Sequence, residues 1–247
     1  MEYVLITGGS GGIGFELARI FAQNKFGVIL VSSDREKLWK AKEKLKEEFD
    51  SEIEVYEKDL SKTGAAGEMY REVLKKERNI TVLVNNAGFG LKGETQSIDM
   101  KEDQKMLALN VGAVVELTKL FLKDRYKEKS GKVLNISSSG AFQPGPYTST
   151  YFASKAFVLS YSRAVRYEAR KYGIQVCTLC PGAVRTDFFQ REGAKIPAGA
   201  MEPESVAKYA YRRLMKNKSV SVPGWRNRLL RLPPGSIKMK FIAAMKQ

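Results

Sequence analysis

The chain has 247 residues, of which 43% are hydrophobic and 28% charged, enough to bury one substantial core in a single domain. It contains no histidine and only two cysteines, so a Ser-His-Asp or Cys-His nucleophile is excluded and a metal site is hard to assemble. The formal net charge of +15 comes from 42 basic and 27 acidic residues that are interspersed along helical segments, so nucleic acid is not an expected partner.

Short apolar runs bounded by turn residues alternate along the chain with long segments of helical periodicity. The predicted strands are Tyr3–Thr7, Gly27–Val31, Glu52–Glu57, Val82–Asn85, Gly131–Ser137, Ile174–Cys180 and Ser219–Val222. The predicted helices are Gly12–Asn24, Asp34–Phe49, Thr63–Glu77, Lys101–Tyr126, Ser149–Tyr172 and Pro203–Asn217. This alternation predicts a Rossmann-type α/β fold: a doubly wound, seven-stranded parallel sheet in a three-layer α/β/α domain.

Neither a membrane span nor a secretory signal is visible in the sequence. No run approaches 18 apolar residues, and the chain enters its first predicted strand without a basic leader. We therefore expect a soluble, cytoplasmic protein.

The first predicted strand ends in a glycine-rich loop, Thr7–Gly14, that leads directly into an amphipathic helix. Glycines allow the backbone to turn tightly and approach a pyrophosphate, whose charge is stabilised by free N–H groups and the helix dipole. A glycine turn alone is also typical of a plain tight connection, but the strand–loop–helix context favours a dinucleotide cofactor. The residues expected to contact it are Gly8, Ser10, Gly12, Ile13 and Gly14.

The residues after the second predicted strand bear on the choice between NAD(H) and NADP(H). An acidic side chain there accepts hydrogen bonds from a ribose 2′-hydroxyl, whereas a basic one pairs with a 2′-phosphate. Ser32 and Ser33 are small and neutral, and Arg35 lies within reach of a phosphate, while Asp34 can instead cap the next helix. We therefore favour NADP(H) over NAD(H). The alternative is that all four residues serve only the turn and the cap.

Tyr151 and Lys155 are four residues apart in a predicted helix and so share one face. An ammonium group near a phenol, whose unperturbed pKa is about 10, favours the phenolate and lowers that pKa toward working pH. The fifth strand delivers three serines, Ser137–Ser139, whose hydroxyls could hold a substrate oxygen as charge develops. In isolation, a tyrosine and a lysine more often share only a helix face, so the assignment depends on the other motifs.

Four motifs, in order and across nearly the whole chain, resemble those of the classical short-chain dehydrogenase/reductase family. They are the Thr7–Gly14 loop, Asn85-Asn86-Ala87-Gly88, Tyr151-Phe-Ala-Ser-Lys155 and Pro181-Gly182. The resemblance implies an NAD(P)-dependent oxidoreductase that transfers hydride between nicotinamide and a carbonyl or secondary alcohol. It implies Tyr151 as general acid/base, Lys155 as the group that lowers its pKa and binds ribose, Ser138 as the holder of the substrate oxygen and Asn110 as support for a proton relay.

The resemblance also implies cofactor contacts after the third, fourth and sixth strands. These are Asp59 and Leu60 beside the adenine, Asn86, Ala87 and Gly88 at the ribose, and Pro181, Gly182, Val184 and Thr186 at the nicotinamide end. Asp59 could equally be an ordinary strand-end turn residue.

Loops beyond the carboxyl ends of the strands carry aromatic residues, which favours an apolar substrate pocket. Its expected members are Phe89, Phe142, Tyr147, Phe188 and Phe189, unless these aromatics only pack the loops. The run Gly193–Gly199 is a candidate mobile lid.

Residues 224–247 form a basic, apolar extension beyond a catalytic domain at residues 1–223. Since Pro233-Pro234 breaks any single long helix, we expect this extension to cover the cleft or pack against a subunit of a homodimer or homotetramer, ahead of contact with a membrane surface. Two other function classes stay open: a non-catalytic dinucleotide-binding sensor, and a surface-binding protein that acts through the basic tail. The intact set of predicted catalytic residues favours catalysis over a sensor.

Overall fold

Seven parallel strands form one sheet in the order β3-β2-β1-β4-β5-β6-β7, in a computed structural model that describes residues 1–191 and 193–229. The strands are β1 (Glu2–Thr7), β2 (Gly27–Ser32), β3 (Ile53–Glu57), β4 (Asn79–Asn85), β5 (Gly131–Ile136), β6 (Ile174–Leu179) and β7 (Val220–Ser221). Each of the seven overlaps a predicted strand, and the predicted doubly wound α/β fold is confirmed.

Helices cover both faces of this sheet. They are α1 (Gly12–Gln23), α2 (Arg35–Glu48), α3 (Ala65–Leu74), α4 (Met100–Leu107), α5 (Val114–Glu128), α6 (Ser149–Ala169), α7 (Phe188–Arg191), α8 (Pro203–Met215) and α9 (Trp225–Leu229). The predicted helix Lys101–Tyr126 is interrupted by a π-helical stretch, Ala108–Ala113, that joins α4 to α5. The short helices α7 and α9 were not predicted. None of the helices in the described part of the chain has the length and hydrophobicity needed to cross a membrane.

Two apolar cores, one on each side of the sheet, hold the layers together. Successive residues of β1 alternate between them, because side chains along a strand point to opposite faces. Val4 and Ile6 pack in the core that contains the buried faces of α1, α2 and α8, while Tyr3 and Leu5 pack with α3, α5 and α6. The continuous burial of β1 after Glu2 is typical of a parallel strand covered on both faces.

The strand order reverses between β1 and β4, since the chain runs outward through β2 and β3 and then returns to the other side of β1. At such a switch point the loops after the two strands diverge, and ligands bind in the crevice between them. The fold therefore places the loops after Thr7 and Asn85 at the two walls of one crevice.

Most of the predicted C-terminal extension, residues 230–247, lies outside the described residues, as does Glu192. Residues 225–229 of the extension form α9, which lies against the loop after β6. A Cβ placed on Gly182 would be 2.4 Å from Asn227 Oδ1, and Asn227 Nδ2 donates to the Pro223 carbonyl at 2.8 Å. The described start of the extension thus packs beside the crevice.

Candidate active site

A cleft of about 880 Å³ opens at the carboxyl edge of the sheet, where the loops after β1 and β4 diverge. This volume lies within the range of ligand-binding pockets in proteins. The cleft is lined by the loops that follow β1, β2, β4, β5 and β6 and by the first turns of α6 and α7. Most residues predicted from the sequence to bind a cofactor or to catalyse lie on these segments.

The glycine-rich loop forms one wall, with a backbone that only glycine adopts readily. Gly8 and Gly12 have φ angles of +64° and +52°, and a Cβ on Gly12 would lie 2.8 Å from Thr186 Cγ2. Helix α1 begins after Gly11, has no acidic residue in its first turn, and presents N–H groups that lack helical acceptors. The loop and helix start therefore fit the pyrophosphate of a dinucleotide.

Side chains tie the two walls of the cleft together. Asn86 Nδ2 donates to the carbonyls of Thr7 and Gly8, both at 3.0 Å. Thr7 Oγ1 accepts hydrogen bonds from the backbone N–H groups of Asn86 and Ala87, also at 3.0 Å. These four hydrogen bonds fix the loop after β4 to the loop after β1. Contacts within the protein are therefore enough to hold the two walls of the cleft in place.

The structure after β2 differs from the prediction that Arg35 faces the cofactor. Asp34 caps α2, accepting from Lys37 N at 3.0 Å, so Arg35 occupies the first helical position. The Arg35 side chain is 75% exposed and lies 3.9 Å from Glu57, away from the cleft. Lys37, two residues on and therefore about 200° around the helix, lines the cleft with Ser32, Ser33 and Asp34.

Ser138, Tyr151 and Lys155 all line this cleft. Lys155 Nζ lies 5.9 Å from the centre of the Tyr151 ring and donates to the Ile136 carbonyl at 3.1 Å. Burial lowers the pKa of Lys155 to about 8, because the ammonium ion is held away from water. Ser138 Oγ accepts from Gly140 N at 3.0 Å, which leaves its O–H available as a donor toward the cleft.

Ser137 is 2% exposed and anchors the helix that carries the tyrosine and the lysine. Its Oγ donates to the Lys155 carbonyl at 2.7 Å, which joins the end of β5 to α6.

Asn110 is fully buried and lies behind the cleft rather than in its lining. Its Oδ1 accepts from Phe89 N at 3.2 Å, and its Nδ2 donates to the Phe89 carbonyl at 2.9 Å and to Ser154 Oγ at 3.1 Å. Ser154 Oγ in turn donates to the Tyr151 carbonyl at 2.7 Å. Both ends of the Asn110 amide are therefore engaged in holding the backbone around Tyr151. Ser154 was missed from the sequence, where it was only a spacer within the Tyr-x-x-x-Lys motif.

A glycine lies between Asn110 and Lys155. A Cβ on Gly88 would be 2.8 Å from Asn110 Oδ1 and 3.1 Å from Lys155 Nζ. The carboxamide and the ammonium group therefore approach the same point of the loop after β4.

Several predicted cofactor contacts lie in the cleft, and others do not. Gly14 packs beneath the loop, where its Cβ would be 2.2 Å from the Gly8 carbonyl oxygen. Asp59 accepts from Ser61 N and Oγ in a strand-end turn, and Leu60 is packed in the core, so neither lines the cleft. The predicted contacts that do line it, besides those named above, are Gly8, Ser10, Gly12, Ile13, Asn86, Ala87, Gly88, Pro181, Gly182, Val184 and Thr186.

Three of the five predicted pocket aromatics, Phe89, Phe188 and Phe189, line the cleft. The Phe188 ring centre lies 5.3 Å from that of Tyr151, and a Cβ on Gly90 would lie 2.9 Å from Phe188 Cζ. Phe188 therefore forms a wall directly beside the tyrosine.

The other two predicted pocket aromatics need correction. Phe142 ends a short 3-10 turn that directs it into a small apolar cluster with Leu159, Cys180 and Val222. Tyr147 has a φ of +60°, its carbonyl accepts from Gly93 N at 2.9 Å, and it is not part of the cleft lining. The candidate lid, Gly193–Gly199, contributes Pro197 to the lining.

The family model described as short chain dehydrogenase matches residues 2–197. The chain is 31% identical over 187 residues to hydroxysteroid dehydrogenase-like protein 1 of Gallus gallus, which covers 75% of this chain and 56% of that protein. It is 28% identical over 215 residues to a 3-oxoacyl-(acyl-carrier-protein) reductase of Chlamydia trachomatis, covering 83% and 87% of the two chains. The alignment thus spans little more than half the length of the avian relative.

Among solved structures, the fold is similar to that of a short-chain dehydrogenase from Sphingobium yanoikuyae in complex with NADPH. The TM-score is 0.87 at 28% sequence identity, and the match covers 91% of this chain and 89% of the other.

Proposed function

The chain belongs to the short-chain dehydrogenase family, and on this basis we propose that it is an NAD(P)-dependent oxidoreductase that interconverts a carbonyl and a secondary alcohol. The observation that supports this most directly is that Ser138, Tyr151 and Lys155 all line the cleft into which the glycine-rich loop opens. When bound there, the cofactor supplies or accepts the hydride. The loop from Gly8 to Gly12 and the start of α1 would hold its pyrophosphate, with Lys155 near its ribose.

Tyr151 is the proton donor in reduction and the proton acceptor in oxidation. Its side chain lines the cleft, and the Lys155 ammonium lies 5.9 Å from the ring centre, on the side of the cleft where a positive charge would stabilise a phenolate formed in the reaction. The Ser138 hydroxyl holds the substrate oxygen as negative charge develops, because its own oxygen already accepts a bond from Gly140 N and its O–H is free to donate.

Asn110 and Ser154 act as positioning residues. Through their bonds to Phe89 and to the Tyr151 carbonyl, they link the loop after β4 to the first turn of α6. Asn110 also remains our proposed support for a proton relay near Lys155, at a position that these side-chain bonds fix.

The substrate is expected to be an apolar ketone, aldehyde or secondary alcohol, because Phe89, Phe188 and Phe189 line the cleft near Tyr151. The relatives named for a hydroxysteroid dehydrogenase and an oxoacyl reductase support a carbonyl on an apolar framework. We further propose NADP(H) as the preferred cofactor. The neutral side chains of Ser32 and Ser33 at the end of β2 support this choice, as does the similarity to a dehydrogenase in complex with NADPH.

The test combines fluorescence titration of NADPH and NADH with a panel of apolar ketones followed at the reduced-nicotinamide absorbance band. Tyr151→Phe is expected to lower turnover by about 100-fold or more while cofactor binding is retained. Tyr167→Phe, on the exposed face of the same helix, serves as the matched control and should behave as wild type. Full turnover by Tyr151→Phe would refute the acid/base role, whereas cofactor binding without turnover of any substrate would favour the sensor function.

A further inference from the structure

Residues 184–188, here called the crossing segment, touch three different parts of the cleft within three consecutive residues. Thr186 lies against the glycine-rich loop, since a Cβ on Gly12 would be 2.8 Å from its methyl group. Asp187 Oδ2 lies 2.7 Å from Lys37 Nζ at the start of α2. The ring of Phe188 lies 5.3 Å from that of Tyr151. The crossing segment therefore links the β2 end of the cleft to the proposed acid/base residue.

Lys37 is the cation best placed at the β2 end of the cleft. Among the described residues that line the cleft, Arg185 pairs with Glu202 at 2.8 Å and Lys155 is buried beside Tyr151. Lys37 lies instead with Ser32 and Ser33, where the ribose 2′ position of a dinucleotide is bound in this type of fold. Its charge becomes available to a group on that ribose once its ion pair with Asp187 opens.

Asp187, the ion-pair partner of Lys37, is easily displaced by a stronger anion. The Lys37 and Asp187 side chains are 54% and 71% exposed, and exposed ion pairs contribute little because water screens them. A phosphate carries up to two negative charges and three acceptor oxygens, so it binds an ammonium more strongly than one exposed carboxylate does. A 2′-phosphate at this position would take Lys37 from Asp187.

We infer that Lys37 selects for the 2′-phosphate of NADP(H), and that Asp187 competes with this phosphate for Lys37. The inference rests on the proposed function for the presence of a dinucleotide in the cleft. When Lys37 exchanges Asp187 for the phosphate, the crossing segment loses its ion pair at Asp187. This position directly precedes Phe188, the residue proposed to form a wall of the substrate pocket. Lys37 and Asp187 thereby couple recognition of the cofactor phosphate to the substrate side of the cleft.

Fluorescence titration of NADPH and NADH on four variants tests the selection. Lys37→Gln is expected to raise the Kd for NADPH by about 10- to 100-fold and to leave the Kd for NADH unchanged. Lys40→Gln is the matched control, because Lys40 lies on the same helix and pairs with Glu36 outside the cleft. Arg35→Gln should also resemble wild type, whereas Asp187→Asn should tighten NADPH binding by about two- to fivefold without affecting NADH.

Hydrogen exchange of the peptide that spans the crossing segment and α7 tests the coupling. In wild type, NADPH should change its exchange rate more than NADH does, and Lys37→Gln should abolish this difference. An equal response to both nucleotides in wild type would overturn the coupling.

The outcomes separate this inference from the proposed function. If Lys37→Gln and Lys40→Gln show the same ratio of NADPH to NADH affinity, Lys37 is not the selecting residue. If Asp187→Asn changes both affinities equally, the competition is refuted. Binding of NADH alone by wild type would overturn this inference and leave the oxidoreductase proposal standing, whereas binding of neither nucleotide would overturn both.

Discussion

Replacing Lys155 with methionine is expected to stabilise the protein in the absence of cofactor while abolishing its turnover. Burial lowers the pKa of Lys155 from 10.5 to about 8. One pKa unit corresponds to about 1.4 kcal/mol, so holding this side chain protonated at pH 7 costs the folded state about 3 kcal/mol. Methionine fills similar space without charge but loses the bond to the Ile136 carbonyl, worth about 1 kcal/mol. The expected net gain in unfolding free energy at pH 7 is about 2 kcal/mol.

The stability gained by Lys155→Met should decrease as the pH rises, because Lys155 binds its proton less tightly in the folded state than in the unfolded state. Below pH 8 both the folded and the unfolded states carry the proton, and the penalty is complete. Between about pH 8 and 10.5 the unfolded chain still binds the proton that the folded protein has released, so wild-type stability rises with pH in this window. The advantage of Lys155→Met should therefore fall from about 2 kcal/mol at pH 7 to less than about 1 kcal/mol at pH 9.5.

Urea unfolding of the cofactor-free protein at pH 7 and pH 9.5 measures both quantities. Lys119→Met, on the exposed face of α5, is the matched control and should show no pH-dependent gain. If Lys155→Met is less stable than wild type at pH 7, or if the difference is the same at both pH values, the penalty does not come from a buried charge.

Three further substitutions test the cofactor loop, the substrate wall and the oxygen-holding serine. Gly12→Ala should raise the Kd for NADPH by about tenfold or more, because the φ of +52° and the nearby methyl group of Thr186 leave no room for an unstrained side chain. Gly112→Ala is the control and should leave this Kd unchanged, since a Cβ on Gly112 would face open space. Equal Kd values for the two variants in a fluorescence titration would contradict this prediction. Phe188→Ala should raise kcat/KM for bulky ketones relative to small ones, while Phe142→Ala should leave that ratio unchanged and lower the free energy of unfolding by about 2 kcal/mol. Ser138→Ala should lower kcat by about 100-fold with unchanged NADPH affinity, and wild-type turnover by this variant would refute the proposed role.

The fold was predictable because most strands are short apolar runs and because longer segments of helical periodicity separate them. The interruption of the predicted helix Lys101–Tyr126 was not, since a π-helical stretch differs from an α-helix in hydrogen-bond register and not in composition. The interruption matters to the site, because Asn110 lies within it. The short helices α7 and α9 were missed because four or five residues cannot display helical periodicity.

Within the candidate site, the sequence was sufficient to bring Tyr151 and Lys155 to one cleft, but it was not sufficient to orient Arg35 and Lys37. Tyr151 and Lys155 needed only the spacing of one helical turn to reach the same cleft. Arg35 and Lys37 depended on which residue caps α2: with Asp34 as the cap, the helix turns Arg35 outward and Lys37 toward the cleft. A shift of one residue in the cap would rotate both side chains by about 100°.

The close approach of the groups proposed to be catalytic depends on the space left by two glycines after β4, Gly88 and Gly90. A side chain at Gly88 would displace Asn110 or Lys155, and one at Gly90 would meet Phe188 at 2.9 Å and Tyr151 at 3.3 Å. Neither glycine has a positive φ, so another residue could adopt the backbone conformation at both positions. A larger residue is excluded because its side chain would contact Lys155 or Tyr151, which are proposed to move the proton, or Phe188, which is proposed to form a wall of the substrate pocket. The two glycines after β4 therefore contribute to the proposed site by leaving space for these side chains. Gly8 and Gly12 in the loop after β1 differ, because they also provide a backbone conformation that other residues rarely adopt.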